Sequence, residues 1–392
     1  MVRRVRGPKI HGAVAEGWGH VADAFRENFT RRGEIGGAVA VFDGDRAVVD
    51  LWAGWREVGA RLPWERDTVV PVFSVTKGVA ALVVAMLVSA GRLEYDAAVA
   101  GYWPEFAAHG KERITVRELI DHRAGLQVLR GHTLRLEQFG DLDALAEVLA
   151  GQRPAAVAGH GYHPVTAALY QNELVRRVDP AGRSIGQIVA AELGPYGVDF
   201  TLGWPDSASL ARVAVPTRAA GLALRHEREV AWRVLGAAQL GFGAFRKTVG
   251  NLGLPMPDDS VRRDYLRVEL AGTNGVGDAR SIARMYAAAI GGLPMVPLSA
   301  EVRAALAEPG PPAARDAVLH TETRFHLGFR KSCDVFPFGS ADRRAYGTPG
   351  LGGSLGFADP ATGLGFAYVT NRLGLSINLD RRAGALCRAV FS

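Results

Sequence analysis

The chain has little cysteine and little lysine, and no long apolar run. Of its 392 residues only two are cysteines, Cys333 and Cys387, far apart and without metal-ligand spacing, which excludes a disulfide scaffold and a cysteine-based metal site. Only five of the 46 basic residues are lysines (Lys9, Lys77, Lys111, Lys247 and Lys331). The arginines are spread along the chain among acids, so the net charge of +6 is not gathered into the basic stripe of a nucleic-acid binder. The longest apolar run, 78–90, is shorter than the ~20 residues that cross a bilayer. The basic start, MVRRVRGPK, is not followed by the apolar stretch of a secretory signal. No segment repeats, and the 48 Gly and 20 Pro follow no period. A cytoplasmic, soluble globular protein is expected, with neither nucleic-acid nor membrane partners, large enough for more than one domain.

The hydrophobic pattern places strands at both ends and helices between. EGWGHVADAFRENFTRR (16–32) has helical spacing. GGAVAVFDGDRAVVDLWAG reads as two strands around Asp43-Gly44-Asp45, a hairpin signal. ITVRELIDHRAGL (114–126) reads as a short helix. From about 134 to 250 the pattern is mostly helical, including a segment near 229–246. A Gly-rich loop and a helix follow at 272–292. After 320 the segments are short, aromatic and Gly-bounded, as in RFHLGFRK and GLGFAYVTNRL, and SINLDRRAGALCRAV closes the chain as a helix. The class is therefore α+β: an antiparallel sheet flanked by helices, built from 1–84 and 265–392, with a mostly helical part, 85–264, inserted.

PVFSVTKGVAALVVAMLVSAGRL (71–93) sets a lysine at the head of an apparently buried helix. A charged ammonium is costly to bury. On a helix, residues three apart are neighbours, so the Ser74 hydroxyl and the Lys77 amine can meet. A serine is a weak nucleophile until a base takes its proton, and burial lowers a lysine pKa toward the range where it can be that base. Random placement of the 13 Ser and five Lys gives only ~0.2 Ser-x-x-Lys pairs, a spacing that serves as a catalytic signature. The bland alternative is a helix-capping serine followed by a solvated lysine. Two Gly-x-Ser-x-Gly stretches compete, at Ser184 and Ser354, but neither has the strand before and helix after that a nucleophile elbow requires.

Several stretches in one order resemble the serine β-lactamase and penicillin-recognising superfamily, above all its class C-like family VIII carboxylesterases. They are GGAVAVFDGDRAVVDLWAGW, the Ser74 segment, ITVRELIDHRAGL, GYHPVTAALYQNELVRRV, TNGVGDARSIARMYAAAIGG and GLGGSLGFADPATGLGFAYVTNR, which together cover nearly the whole chain. The resemblance implies a β-lactamase/transpeptidase-like fold. It implies Ser74 as the acylated nucleophile, Lys77 as its partner, and Tyr162 in GYHP as the phenol that shares the proton. It places the third motif at Thr348-Pro349-Gly350 and the oxyanion hole at the amides of Ser74 and Leu351, with Thr348, Gly350 and His163 beside the substrate. It calls for no cofactor and no metal. A His160/His163 metal pair lacks further ligands.

The departures from the family pattern point away from β-lactams and cell-wall peptides. The Asn of the second motif is replaced by Pro164, and Thr348 stands where a cation would hold a substrate carboxylate. The expected activity is hydrolysis of a small ester through a Ser74 acyl-enzyme. The alternatives are acyl transfer to an alcohol or amine by the same residues, β-lactamase or D,D-peptidase activity, and a non-catalytic sensor of the same fold.

Overall fold

A computed structural model describes residues 7–132, 134–156, 159–204, 208–218, 261, 263–374, 376 and 379–392. The segment near 229–246 lies outside the described residues. Nine antiparallel strands make the main sheet: β1 (His11–Val14), β2 (Gly36–Asp43), β3 (Arg46–Glu57), β4 (Leu62–Pro63), β5 (Phe325–His326), β6 (Phe329–Lys331), β7 (Tyr346–Pro349), β8 (Leu355–Asp359) and β9 (Leu364–Thr370). Their order is β1-β3-β2-β9-β8-β7-β6-β5, with β4 on β3. The expected hairpin is the β2–β3 pair, in which Asp43 faces Arg46 across Gly44 and Asp45. The central pairing, β2 on β9, joins the two ends of the sequence.

Side chains alternate between the two faces of a strand, and the core follows that alternation. Val39, Val41, Phe357, Phe366 and Tyr368 pack with Val21 and Phe25 of α1 (Gly19–Arg31) and with Leu386 of the C-terminal helix, Arg381–Val390. Ala40, Phe42, Ala358, Ala367 and Val369 belong to a second, larger core that includes α2 (Val75–Ser89), α3 (Val116–Ile120), α4 (Thr166–Val178) and α5 (Ala279–Gly291). Helices thus cover both faces of the antiparallel sheet, as expected from the pattern. The α2 helix is buried on nearly every side because it lies between β7 and β8 on one flank and α4 on the other. The boundaries expected at 84/85 and 264/265 fall inside α2 and inside the helix Arg263–Arg267. One continuous apolar helix serves the sheet and the helical part together.

Candidate active site

Ser74 sits at the head of α2 by an unusual backbone turn. Phe73, immediately before it, has φ +48, a left-handed conformation uncommon outside glycine. Thr76 holds that turn: its N–H and its hydroxyl both donate to the Phe73 carbonyl, at 3.0 and 2.5 Å. The Thr76 hydroxyl also accepts the Gly275 N–H at 3.0 Å, tying the turn to the loop before α5. Ser74 occupies the cap position of α2, but its side chain makes no capping hydrogen bond. Its hydroxyl faces Lys77 Nζ at 3.2 Å and the Tyr162 phenol at 2.9 Å.

Lys77 is only 4% exposed. Its Nζ donates to the carbonyls of Pro164 at 2.6 Å and Gly272 at 2.7 Å. A neutral amine has two N–H groups and one lone pair. The two carbonyls take both N–H groups, and the lone pair is left for the Ser74 hydroxyl. Burial lowers the Lys77 pKa from its ordinary value of 10.5, and Tyr162 pushes back against that shift. Sequence reasoning missed both carbonyls, since a backbone acceptor has no residue-type signature. Pro164 supplies its carbonyl at the position where the family pattern has an asparagine.

The second motif is held by His122 and His163. Tyr162 lies edge-to-face with His122 (ring centroids 4.9 Å apart) and parallel to Phe325 (6.0 Å, 11°). The Gly161 N–H donates to the His122 carbonyl at 3.0 Å, and the His163 N–H to His122 Nδ1 at 3.3 Å. His163, expected beside the substrate, is 0% exposed; its Nε2 accepts the Leu126 N–H at 3.0 Å, and its Nδ1 lies 2.6 Å from the Gly161 carbonyl. These partners fix one neutral tautomer, with the proton on Nδ1.

Burial holds the His163 pKa down at about 4, against an ordinary 6.5, and lowers that of His122 as well. Between those two values the unfolded chain binds a proton that the folded site refuses. This contribution to stability is therefore complete above pH 6.5 and is lost as pH falls toward 4. Thermal melts across this window should show Tm falling, and His163→Asn should flatten that part of the curve. A wild-type Tm constant over the window would contradict this account.

At the third motif, β7 ends against the Ser74 turn. A side chain at Gly350 would come within 2.3 Å of the Val72 carbonyl, so only glycine permits this approach. The Gly350 N–H donates to Ser354 O at 2.7 Å and the Gly353 N–H to Gly350 O at 3.2 Å, which fixes the turn carrying Leu351. The Leu351 side chain is exposed. Thr348, expected at the substrate, turns the other way. It is nearly buried, and its Oγ1 would lie 3.0 Å from a Cβ on Gly78 of α2, beside the Tyr286 phenol. With Lys77 its amine donors spent on carbonyls and Thr348 turned inward, neither of these two side chains offers an open cation or hydroxyl to a substrate carboxylate.

The competing serines are structural. Ser184 caps the helix Ile185–Ile188 and donates to Glu269 at 2.6 Å. Ser354 is buried and accepts the Thr370 N–H. Among the described residues no group of His, Cys, Asp and Glu has the geometry to hold a metal ion, and no helix is long and apolar enough to cross a membrane.

The Lys77 amine and the Tyr162 phenol thus converge on the Ser74 hydroxyl at the head of a buried helix. The sequence pattern of the Beta-lactamase family matches residues 21–386, and the chain belongs to that family. It is 34% identical over 386 residues to the esterase/β-lactamase LipL of Mycobacterium tuberculosis, covering 96% of this chain and 86% of LipL. Among solved structures, a family VIII carboxylesterase superposes with a TM-score of 0.83 at 31% identity, over 97% of this chain and 98% of that one. A penicillin-binding protein homologue from Caulobacter crescentus gives 0.81 at 31%, over 97% and 99%. EstA from Arthrobacter nitroguajacolicus gives 0.81 at 31%, over 96% of each chain.

Proposed function

We propose that this serine esterase of the β-lactamase-like family cleaves small esters through an acyl-enzyme on Ser74, with Lys77 and Tyr162 together as the base. The observation that carries the reading is the Ser74 hydroxyl lying within hydrogen-bond reach of both Lys77 Nζ and the Tyr162 phenol. The Ser74 oxygen attacks the ester carbonyl while its proton passes to the Lys77 lone pair. The amides of Ser74 and Leu351 receive the oxyanion, and such preorganised donors are usually the largest electrostatic contribution in acyl transfer. The proton then reaches the departing alkoxide through the Tyr162 phenol, which already contacts the reacting oxygen. Water repeats the sequence on the acyl-enzyme and frees Ser74.

The test is a p-nitrophenyl ester series from acetate to octanoate, with mass spectrometry of the quenched enzyme. Turnover of the short esters is expected, together with one acyl group on the peptide that carries Ser74. Release of a single equivalent of nitrophenol that resumes only when an alcohol or amine is added would favour the acyltransferase reading. No acyl adduct under any condition would defeat both. The residue classes at the site and the named esterase relatives support a small ester as substrate.

A further inference from the structure

We infer that Asp316 is a positioning residue, which holds the Tyr162 phenol against the Ser74 hydroxyl by gripping the Tyr162 backbone. The inference rests on the proton-carrying role of Tyr162 proposed above. Asp316 lies 154 residues from Tyr162, in the loop of a small hairpin formed by Ala314–Arg315 and Glu322–Thr323. It is 0% exposed. A carboxylate so deeply buried must be surrounded by donors. Three local groups surround it, with two more, His160 and Tyr162, from one distant segment.

The local donors are the N–H groups of Val318 and Leu319, both at 2.8 Å from Oδ1, and the Thr323 hydroxyl at 3.2 Å from Oδ2. His160 Nε2 is the fourth neighbour, 2.5 Å from Thr323 Oγ1 and 3.6 Å from Asp316 Oδ2. The distant donor is the Tyr162 N–H, shared between both carboxylate oxygens at 3.1 and 3.0 Å. The hairpin is closed without that bond, so the side of the carboxylate turned to Tyr162 does something the hairpin does not need. The Ala317 N–H donates to the His160 carbonyl at 3.1 Å, and this stitches the same two segments together a second time.

The effect at Tyr162 is geometric. Three successive amides, Gly161, Tyr162 and His163, each donate to a fixed acceptor: the His122 carbonyl, the Asp316 carboxylate and His122 Nδ1. His122 holds the outer two and Asp316 the middle one. The phenol oxygen stands at the far end of a long side chain, so a small rotation at the Tyr162 Cα becomes a large displacement at Ser74. His122 and Phe325 restrain the ring, and the peptide plane from which the side chain springs is held at its N–H by Asp316 and at its Gly161 carbonyl by His163 Nδ1. Misplacing a catalytic group by ~1 Å can cost about a hundredfold in rate.

The experiment measures the rate at which a fluorophosphonate labels Ser74, alongside kcat and KM on a p-nitrophenyl ester, in four proteins: wild type, Asp316→Asn, Tyr162→Phe and the double variant. Asparagine keeps the size of the side chain and an oxygen for Val318 and Leu319, and the Thr323 hydroxyl can turn to accept from its amide. The fold should therefore survive, as a thermal melt will show. Asp316→Asn should lower kcat and the labelling rate roughly tenfold to a hundredfold with KM little changed. In the Tyr162→Phe background the same substitution should change labelling by less than about twofold, because a residue that acts only through the phenol has nothing left to position. Wild-type labelling by Asp316→Asn overturns the proposal, as does an equal loss in both backgrounds. Tyr162→Phe labelled at the wild-type rate would instead remove the proton role of Tyr162, and Asp316 would fall with it.

Discussion

Ser74→Ala should abolish ester turnover, lowering kcat by on the order of 10⁴-fold or more, since loss of the nucleophile leaves only binding and the oxyanion donors. The substitution should leave the fold intact. Ser74 Oγ makes no capping bond, and the backbone amide is unchanged by the substitution. Ser184→Ala and Ser354→Ala give the complementary expectation. Each removes a buried hydrogen bond, to Glu269 or from the Thr370 N–H, so each should cost stability and keep the chemistry. Nitrocefin belongs in the same assay. Thr348 lies with its hydroxyl against α2, and the Lys77 amine is engaged by two carbonyls, so slow or absent β-lactam turnover is expected beside brisk ester hydrolysis. Ser74→Ala that retains esterase activity, or Ser354→Ala that loses it while folded, would move the nucleophile elsewhere.

How much of this site could be read from sequence depended on the range of each interaction. Ser74 and Lys77 meet through helical geometry, so three residues of spacing were enough. Tyr162 was reached only through the family resemblance, because no local rule joins residues 88 apart. The two carbonyls that orient Lys77 and the Asp316 carboxylate behind Tyr162 had no signature at all. They act through backbone groups, or on them, and lie in the segment before α4, the loop before α5 and a hairpin near residue 316. The surroundings of His163 were hidden for a related reason: its position next to Tyr162 suggests a substrate contact, but both ring nitrogens are engaged by the chain's own loops. Strand alternation likewise sends the Thr348 side chain to α2 while the following residues carry the backbone to Ser74. The sheet itself was the most legible part, since alternation along β2, β8 and β9 separates the two cores residue by residue.

The burial that makes α2 a core element is also what lowers the Lys77 pKa. A helix head with a free face would leave the amine solvated and protonated, as in the capping-serine alternative. Here β7, the loop before α5 and the segment around Pro164 close over it. They also supply two acceptors, so the buried amine is satisfied whether it is neutral or charged. Removing the amine would leave both carbonyls without their donor, at a cost of about 1–3 kcal/mol for each buried unsatisfied group. The position therefore carries a structural as well as a chemical constraint, and the two can be separated by choosing the replacement.

Lys77→Arg is that choice, because a guanidinium still donates to carbonyls but stays protonated and has no lone pair to give. We expect it to lower kcat roughly a thousandfold, the scale of a lost general base. The pH profile supplies the sharper evidence. In the proposed mechanism activity requires the neutral amine, so wild-type kcat/KM should fall as pH is lowered through the Lys77 pKa. Burial sets that pKa below the ordinary 10.5, so the limb should lie below the ordinary lysine range. The residual activity of Lys77→Arg should show no such limb, because nothing at position 77 titrates. Lys77→Met checks the assignment from the other side: it should lose activity to a similar degree and melt at a lower temperature, having stranded the Pro164 and Gly272 carbonyls. A limb that persists unchanged in Lys77→Arg would mean that another group takes the Ser74 proton. Tyr162 would then be the base, because its phenol is the other group within hydrogen-bond distance of the Ser74 hydroxyl.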